Sequence, residues 1–89
     1  MPISDITFSK VAAQTLVRMP RNTAQRVRSK IRQYAVDPAS LANNVEAIVG
    51  ELGAFRLKVG DWRIVFRLAA GVMHVRAMTS RGSAYRVRR

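Results

Sequence analysis

The sequence predicts an α+β domain, ordered β-α-α-β-β-β, in which an antiparallel pair of helices covers one face of a small, mainly antiparallel sheet. Three observations carry this. Residues 55–66 (Phe55-Arg56-Leu57-Lys58-Val59-Gly60-Asp61-Trp62-Arg63-Ile64-Val65-Phe66) alternate apolar and polar on either side of a Gly-Asp pair, the pattern of a β-hairpin. Residues 10–36 carry apolar positions at helical spacing, interrupted by Pro20 and closed by Asp37-Pro38. Residues 72–78 alternate again behind Gly71.

Taken in order, Ile3 to Phe8 is short and β-rich and reads as an opening strand. Ser9 offers an N-cap to a first helix whose apolar face is Val11, Ala12, Leu16 and Met19. Asn22 with Gln25 resembles a capping box for a second helix, with Ala24, Val27, Ile31, Tyr34 and Ala35 on its buried face and Arg26, Arg28, Lys30 and Arg32 elsewhere. The few residues between the helices make them an antiparallel pair. Residues 39–53 are ambiguous between a short helix and loop. They read as mostly loop, with Leu41, Val45, Ile48 and Leu52 anchored on the core.

In the hairpin, Phe55, Leu57 and Val59 point one way and Arg56 and Lys58 the other. Trp62, Ile64, Phe66 and Leu68 continue the apolar row, opposite Arg63, Val65 and Arg67. Gly60-Asp61 suits a two-residue turn that needs positive φ. The last strand places Met73, Val75 and Ala77 on one face and Val72, His74, Arg76 and Met78 on the other. Residues 79–89 form a polar, arginine-rich tail. One sheet face takes the helices, so the other carries the cations.

The 89 residues form a single domain, 1–89, long enough to fold without covalent staples. With no cysteine there is no disulfide scaffold, thiolate metal site or Cys nucleophile. No apolar run approaches membrane-spanning length and Met1-Pro2-Ile3-Ser4-Asp5 lacks signal-peptide features, so the expected compartment is the cytoplasm. Sixteen Lys+Arg against five Asp+Glu leave a net charge of +11, nearly all of it arginine. The planar guanidinium bonds oxyanions in bidentate fashion, which points to a polyanionic or acidic partner: nucleic acid first, an acidic protein second.

Metal-dependent hydrolysis is poorly served, because Asp5, Asp37, Glu46, Glu51 and Asp61 show no paired spacing and His74 is the single histidine. No glycine-rich phosphate loop precedes a helix, and Ser80 and Ser83 lack a neighbouring base. No cofactor is implied. The cations remain. Arg56, Lys58, Arg63 and Arg81 can surround a phosphodiester and stabilise the charge that builds as the adjacent 2′-hydroxyl attacks, a reaction in which RNA supplies its own nucleophile. An amine crowded by other cations holds its proton less tightly, which makes Lys58 the candidate general base, and Tyr85 can stack on a base. Against this stands the plainer reading, that Arg56 and Lys58 are only solvated residues of an outer face. His74 reads as solvent-facing, Trp62 and Phe66 as core, and Arg26, Arg28 and Arg32 as surface.

The hairpin word at 55–66, Asp37-Pro38 after the helices, and Ser80-Arg81 with Tyr85 near the end resemble the RelE/ParE superfamily of toxins from toxin–antitoxin pairs, over nearly the whole chain. The RelE-like branch implies a ribosome-dependent mRNA endonuclease that works without metal by 2′-hydroxyl attack, inhibits translation and is silenced by an acidic antitoxin. By position the resemblance makes Arg56 and Lys58 the basic pair before the turn, Arg63 the hairpin arginine, Tyr85 the C-terminal tyrosine and Arg81 the remaining C-terminal arginine. Many relatives have histidine before that arginine; here Ser80 removes one acid/base. Implied partners are the antitoxin, the ribosome and mRNA, with operator DNA reached only through the antitoxin. ParE-like members instead inhibit DNA gyrase by binding, and a degenerate toxin that only binds antitoxin is a third alternative.

Overall fold

The alternation that predicts the hairpin becomes strands β3 (Ala54–Val59) and β4 (Trp62–Ala69), paired antiparallel with Val59 opposite Trp62 across Gly60-Asp61. In this computed structural model, which describes residues 3–80, they follow β1 (Asp5–Phe8), α1 (Lys10–Arg18), α2 (Arg21–Val36), a 3-10 segment (Pro38–Asn44) and β2 (Val45–Ala47), and precede β5 (Val72–Ser80). The five strands form one sheet in the order β1-β5-β4-β3-β2. Its neighbours are antiparallel except β1, which runs parallel to β5 with Asp5 opposite Val72 and Phe8 opposite Val75.

Both helices lie on one face of the sheet. Ala12, Leu16 and Met19 of α1 and its cap, with Val27, Ile31 and Tyr34 of α2, form one core with Leu57, Val59, Ile64, Phe66, Met73, Val75 and Met78. Phe66 is fully buried at the centre, its ring 5.2 Å from that of Tyr34 and 5.6 Å from that of Phe55. Aromatic pairs at these separations add to the area they bury.

Ser9 caps α1 as expected: its Oγ accepts the Ala12 amide at 3.0 Å. The same hydroxyl donates to the Arg76 carbonyl at 2.7 Å, and the Ser9 amide donates to the Val75 carbonyl at 2.9 Å, so this one residue ties the helix start to β5. Val11 does not join the core face. It is 61% exposed, because one residue of helix turns the chain by about 100° away from the Ala12–Leu16–Met19 stripe. The capping box at Asn22 and Gln25 does not form either. Pro20, with φ −55° and ψ 147°, occupies the N-cap position itself and has no side-chain acceptor, so α2 begins at Arg21 without a side-chain cap. Asp37-Pro38 ends α2 as the sequence predicts.

Residues 39–53 hold more structure than a loop. Leu41 is buried and Val45 packs against the core, but β2 pairs Glu46 with Arg56, and Leu52, expected as an anchor, is 92% exposed. The reason is backbone geometry: Gly53 takes φ +78° and its carbonyl accepts the Leu68 amide at 2.8 Å, which turns the preceding residues outward. A Cβ at Gly53 would meet the Leu68 carbonyl oxygen at 3.3 Å, tighter than ordinary contact, and the positive φ adds strain, so a side chain is disfavoured there. At the hairpin, Gly60 alone has positive φ, +59°; Asp61 does not share it, the φ pattern of a II′ turn.

The phase of β5 also differs from simple alternation. Val75 faces Phe66 but Ala77 faces Val65, so Arg76 is an unmatched bulge residue. Beyond it Met78, not Ala77, enters the core opposite Ile64. The Ser9 hydroxyl fixes the bulge through the Arg76 carbonyl.

Candidate nucleic-acid interface

Residues directly opposite one another on neighbouring strands share a face. Lys58 stands opposite Arg63, which stands opposite Thr79; Arg56 stands opposite Val65 and, on its other side, Glu46. Arg56, Lys58 and Arg63 therefore project together from the face that the helices leave uncovered, in rows one pleat, about 6.7 Å, apart. All three are half-buried, so their alkyl stems lie along the sheet while the charged ends reach outward.

Each arginine is held. Arg56 Nη1 donates to Glu46 Oε2 at 3.1 Å, an exposed ion pair of the kind that contributes about 0–1 kcal/mol and orients more than it stabilises. Arg63 Nη1 donates to the carbonyls of Gly60 and Trp62 at 3.0 and 3.1 Å, which closes the guanidinium over the turn. A guanidinium carries five N–H donors, so both arginines keep donors for an oxyanion. Arg26 of α2 reaches the hairpin tip from the helix side: its Nη1 lies 3.9 Å from where a Cβ on Gly60 would stand.

Arg81 and Tyr85 lie outside the described residues. Trp62 and Phe66 belong to the core side, as expected. Sequence reasoning left three contributors to the outer face, Arg67, His74 and Arg76, out of the candidate site. Arg67 stands opposite His74, and His74 Nδ1 lies 2.8 Å from Thr7 Oγ1 in a hydrogen bond across the parallel strand pair. Arg76 reaches Glu51 at 3.5 Å. Arg67 and Arg76 were both legible from alternation, which put each on the outward row of its strand; the bulge overturns the phase only for Ala77 and Met78. Arg26 gave no sequence signal, since its position depends on where α2 crosses the sheet. Among the described residues no three of His, Cys, Asp and Glu gather into a metal-ligand group.

No protein-family model and no curated protein matches the sequence. Solved structures do resemble it. The RelB–RelE antitoxin–toxin complex from Methanococcus jannaschii matches with TM-score 0.74 and 20% identity over 89% of this chain and 94% of that one. The archaeal RelE–RelB complex from Pyrococcus horikoshii matches with TM-score 0.76 and 16% identity over 90% and 97%. A RelBE toxin–antitoxin complex from Mycobacterium tuberculosis matches with TM-score 0.65 and 17% identity over 91% and 94%. At such identities the likeness speaks to architecture, and the chain has the RelE-like toxin fold.

Proposed function

We propose that this RelE-fold chain is the toxin of a type II toxin–antitoxin pair and that it cuts mRNA on the ribosome. The observation that carries the reading is the cross-strand register, which sets Lys58 against Arg63 with Arg56 one pleat away on the uncovered face. A phosphodiester laid there meets cations on two adjacent strands. In the proposed reaction Lys58 takes the proton of the 2′-hydroxyl, whose oxygen bonds to phosphorus as the bond to the 5′-oxygen breaks; a 2′,3′-cyclic phosphate forms and the departing 5′-oxygen takes a proton from water. Arg56 and Arg63 stabilise the charge that grows on the non-bridging oxygens. Arg81 and Tyr85 complete the proposed set from the C-terminal segment. An acidic antitoxin that covers these cations would silence the site, in line with the antitoxin-bound state of the RelE structures it resembles.

The test is to incubate the protein with programmed ribosomes and map mRNA ends, beside a gyrase supercoiling assay. Ribosome-dependent cuts are expected, with loss of about 10²-fold or more in Arg63→Ala and in Lys58→Ala. Intact mRNA with inhibited supercoiling would replace this reading with gyrase binding, and inactivity in both assays would leave a protein that only binds its antitoxin.

A further inference from the structure

We propose that Arg67 and Arg76, with His74 beside them, form a second phosphate-binding row at the far end of the outer sheet face, which grips single-stranded RNA away from the reacting bond. This rests on the reading of that face as an RNA-cleaving surface, and it adds residues that the reading does not use.

Arg67 lies four residues along β4 from Arg63, on the same face, a separation of about 13 Å. One phosphate cannot touch both ends of such a span. The two arginines of the far row converge on a single short segment: Arg67 Nη1 donates to the Leu52 carbonyl at 2.9 Å, and Arg76 Nη1 lies 3.5 Å from Glu51 Oε1. The two arginines come from different strands, yet both are tethered to the consecutive residues 51 and 52. His74, directly opposite Arg67 on β5, is held there by Thr7.

The bulge leaves Arg76 exposed and changes the face of the residues that follow it. Without it, strict alternation would continue through residue 76 and the outward row would run His74, Arg76, Met78; with it, Arg76 is inserted beside Ala77 on the Val65 side, and Met78 is freed to fill the core. Ser9 locks that insertion at the Arg76 carbonyl. A bulge costs regular pairing, and this one brings Met78 into the core without turning Arg76 inward.

The row already holds oxygen acceptors. The Glu51 carboxylate and Leu52 carbonyl occupy it from within the chain, and the Glu51 contact is long for a charge-assisted hydrogen bond, with both side chains 46% exposed. A phosphate can displace such a carboxylate at little cost.

The test is fluorescence anisotropy with a labelled oligouridylate over about 50–200 mM salt, using the full chain and variants whose thermal melts match it. Each arginine that contacts a phosphate contributes about 0.7 to the slope of log K against log salt on a single strand, so Arg67→Gln/Arg76→Gln should lower it by about 1.4. Arg76→Gln alone, which leaves the Arg67–Leu52 bond in place, should lower it by about 0.7. Glu51→Gln, which removes the competing carboxylate, should tighten binding by about two- to fivefold. If the parent protein binds RNA and these variants leave slope and affinity unchanged, the second row is wrong while the first stands. If the parent does not bind RNA, the second row is wrong, and cleavage on programmed ribosomes then decides whether the first reading falls with it.

Discussion

Ala70 shows how a single residue can be out of step with its own turn. With Gly71 it joins β4 to β5, and both have positive φ, +52° and +78°, the pattern of a I′ turn in which asparagine-glycine is favoured. Alanine pays a steric penalty there that asparagine partly escapes. Ala70→Asn should therefore stabilise the fold by about 0.5–1 kcal/mol, seen as a higher urea midpoint with unchanged m-value; an unchanged midpoint would mean that the turn is not strained. At this scale Arg56, Lys58 and Arg63 were readable, because a period of two needs nothing beyond the strand itself. Val11 and Leu52 were misread as core residues, since apolar character says nothing about which way a cap or a glycine turns the chain.

Between elements, the seam of α2 and the sheet is centred on Tyr34 and Phe66. Burial raises the Tyr34 phenol above its ordinary value of 10.0, because the phenolate would lose water that the neutral form scarcely needs. The folded chain keeps this proton where the unfolded chain releases it, so the associated stability is present below 10.0 and is lost as pH rises beyond it. Urea midpoints of the parent protein should fall more steeply above that pH than those of Tyr34→Phe; parallel curves would show that the phenol ionises equally well in both states. The helices, the hairpin and β5 were legible as elements from their periods. β2 escaped because it has three residues and a glutamate at its centre, and its strand character comes from pairing with β3. The bulge escaped because it answers to Ser9 and Met78, which are distant in sequence from Val65.

Over the whole molecule, helices cover one sheet face and Arg56, Lys58, Arg63 and Arg67 line the other, while Lys10, Arg18, Arg21, Arg26, Arg28, Lys30 and Arg32 lie on the helices and spread the positive charge around the fold. Association with the proposed acidic antitoxin should weaken as salt rises from about 0.1 to 1 M, where the screening length contracts from about 10 to 3 Å. Isothermal titration at several salt concentrations checks this; salt-independent affinity would point to an apolar contact instead. The sequence by itself determined the α+β class, the hairpin with its turn, both ends of the first helix, the end of the second and a row containing Arg56, Lys58 and Arg63, because each depends on local periods and caps and on proline and glycine geometry. Only the tertiary structure decided the strand order, the parallel place of β1, the outward turn of Leu52 and the tethering of Arg67 and Arg76 to residues 52 and 51. Those features depend on contacts between residues far apart in the chain, which no local period encodes.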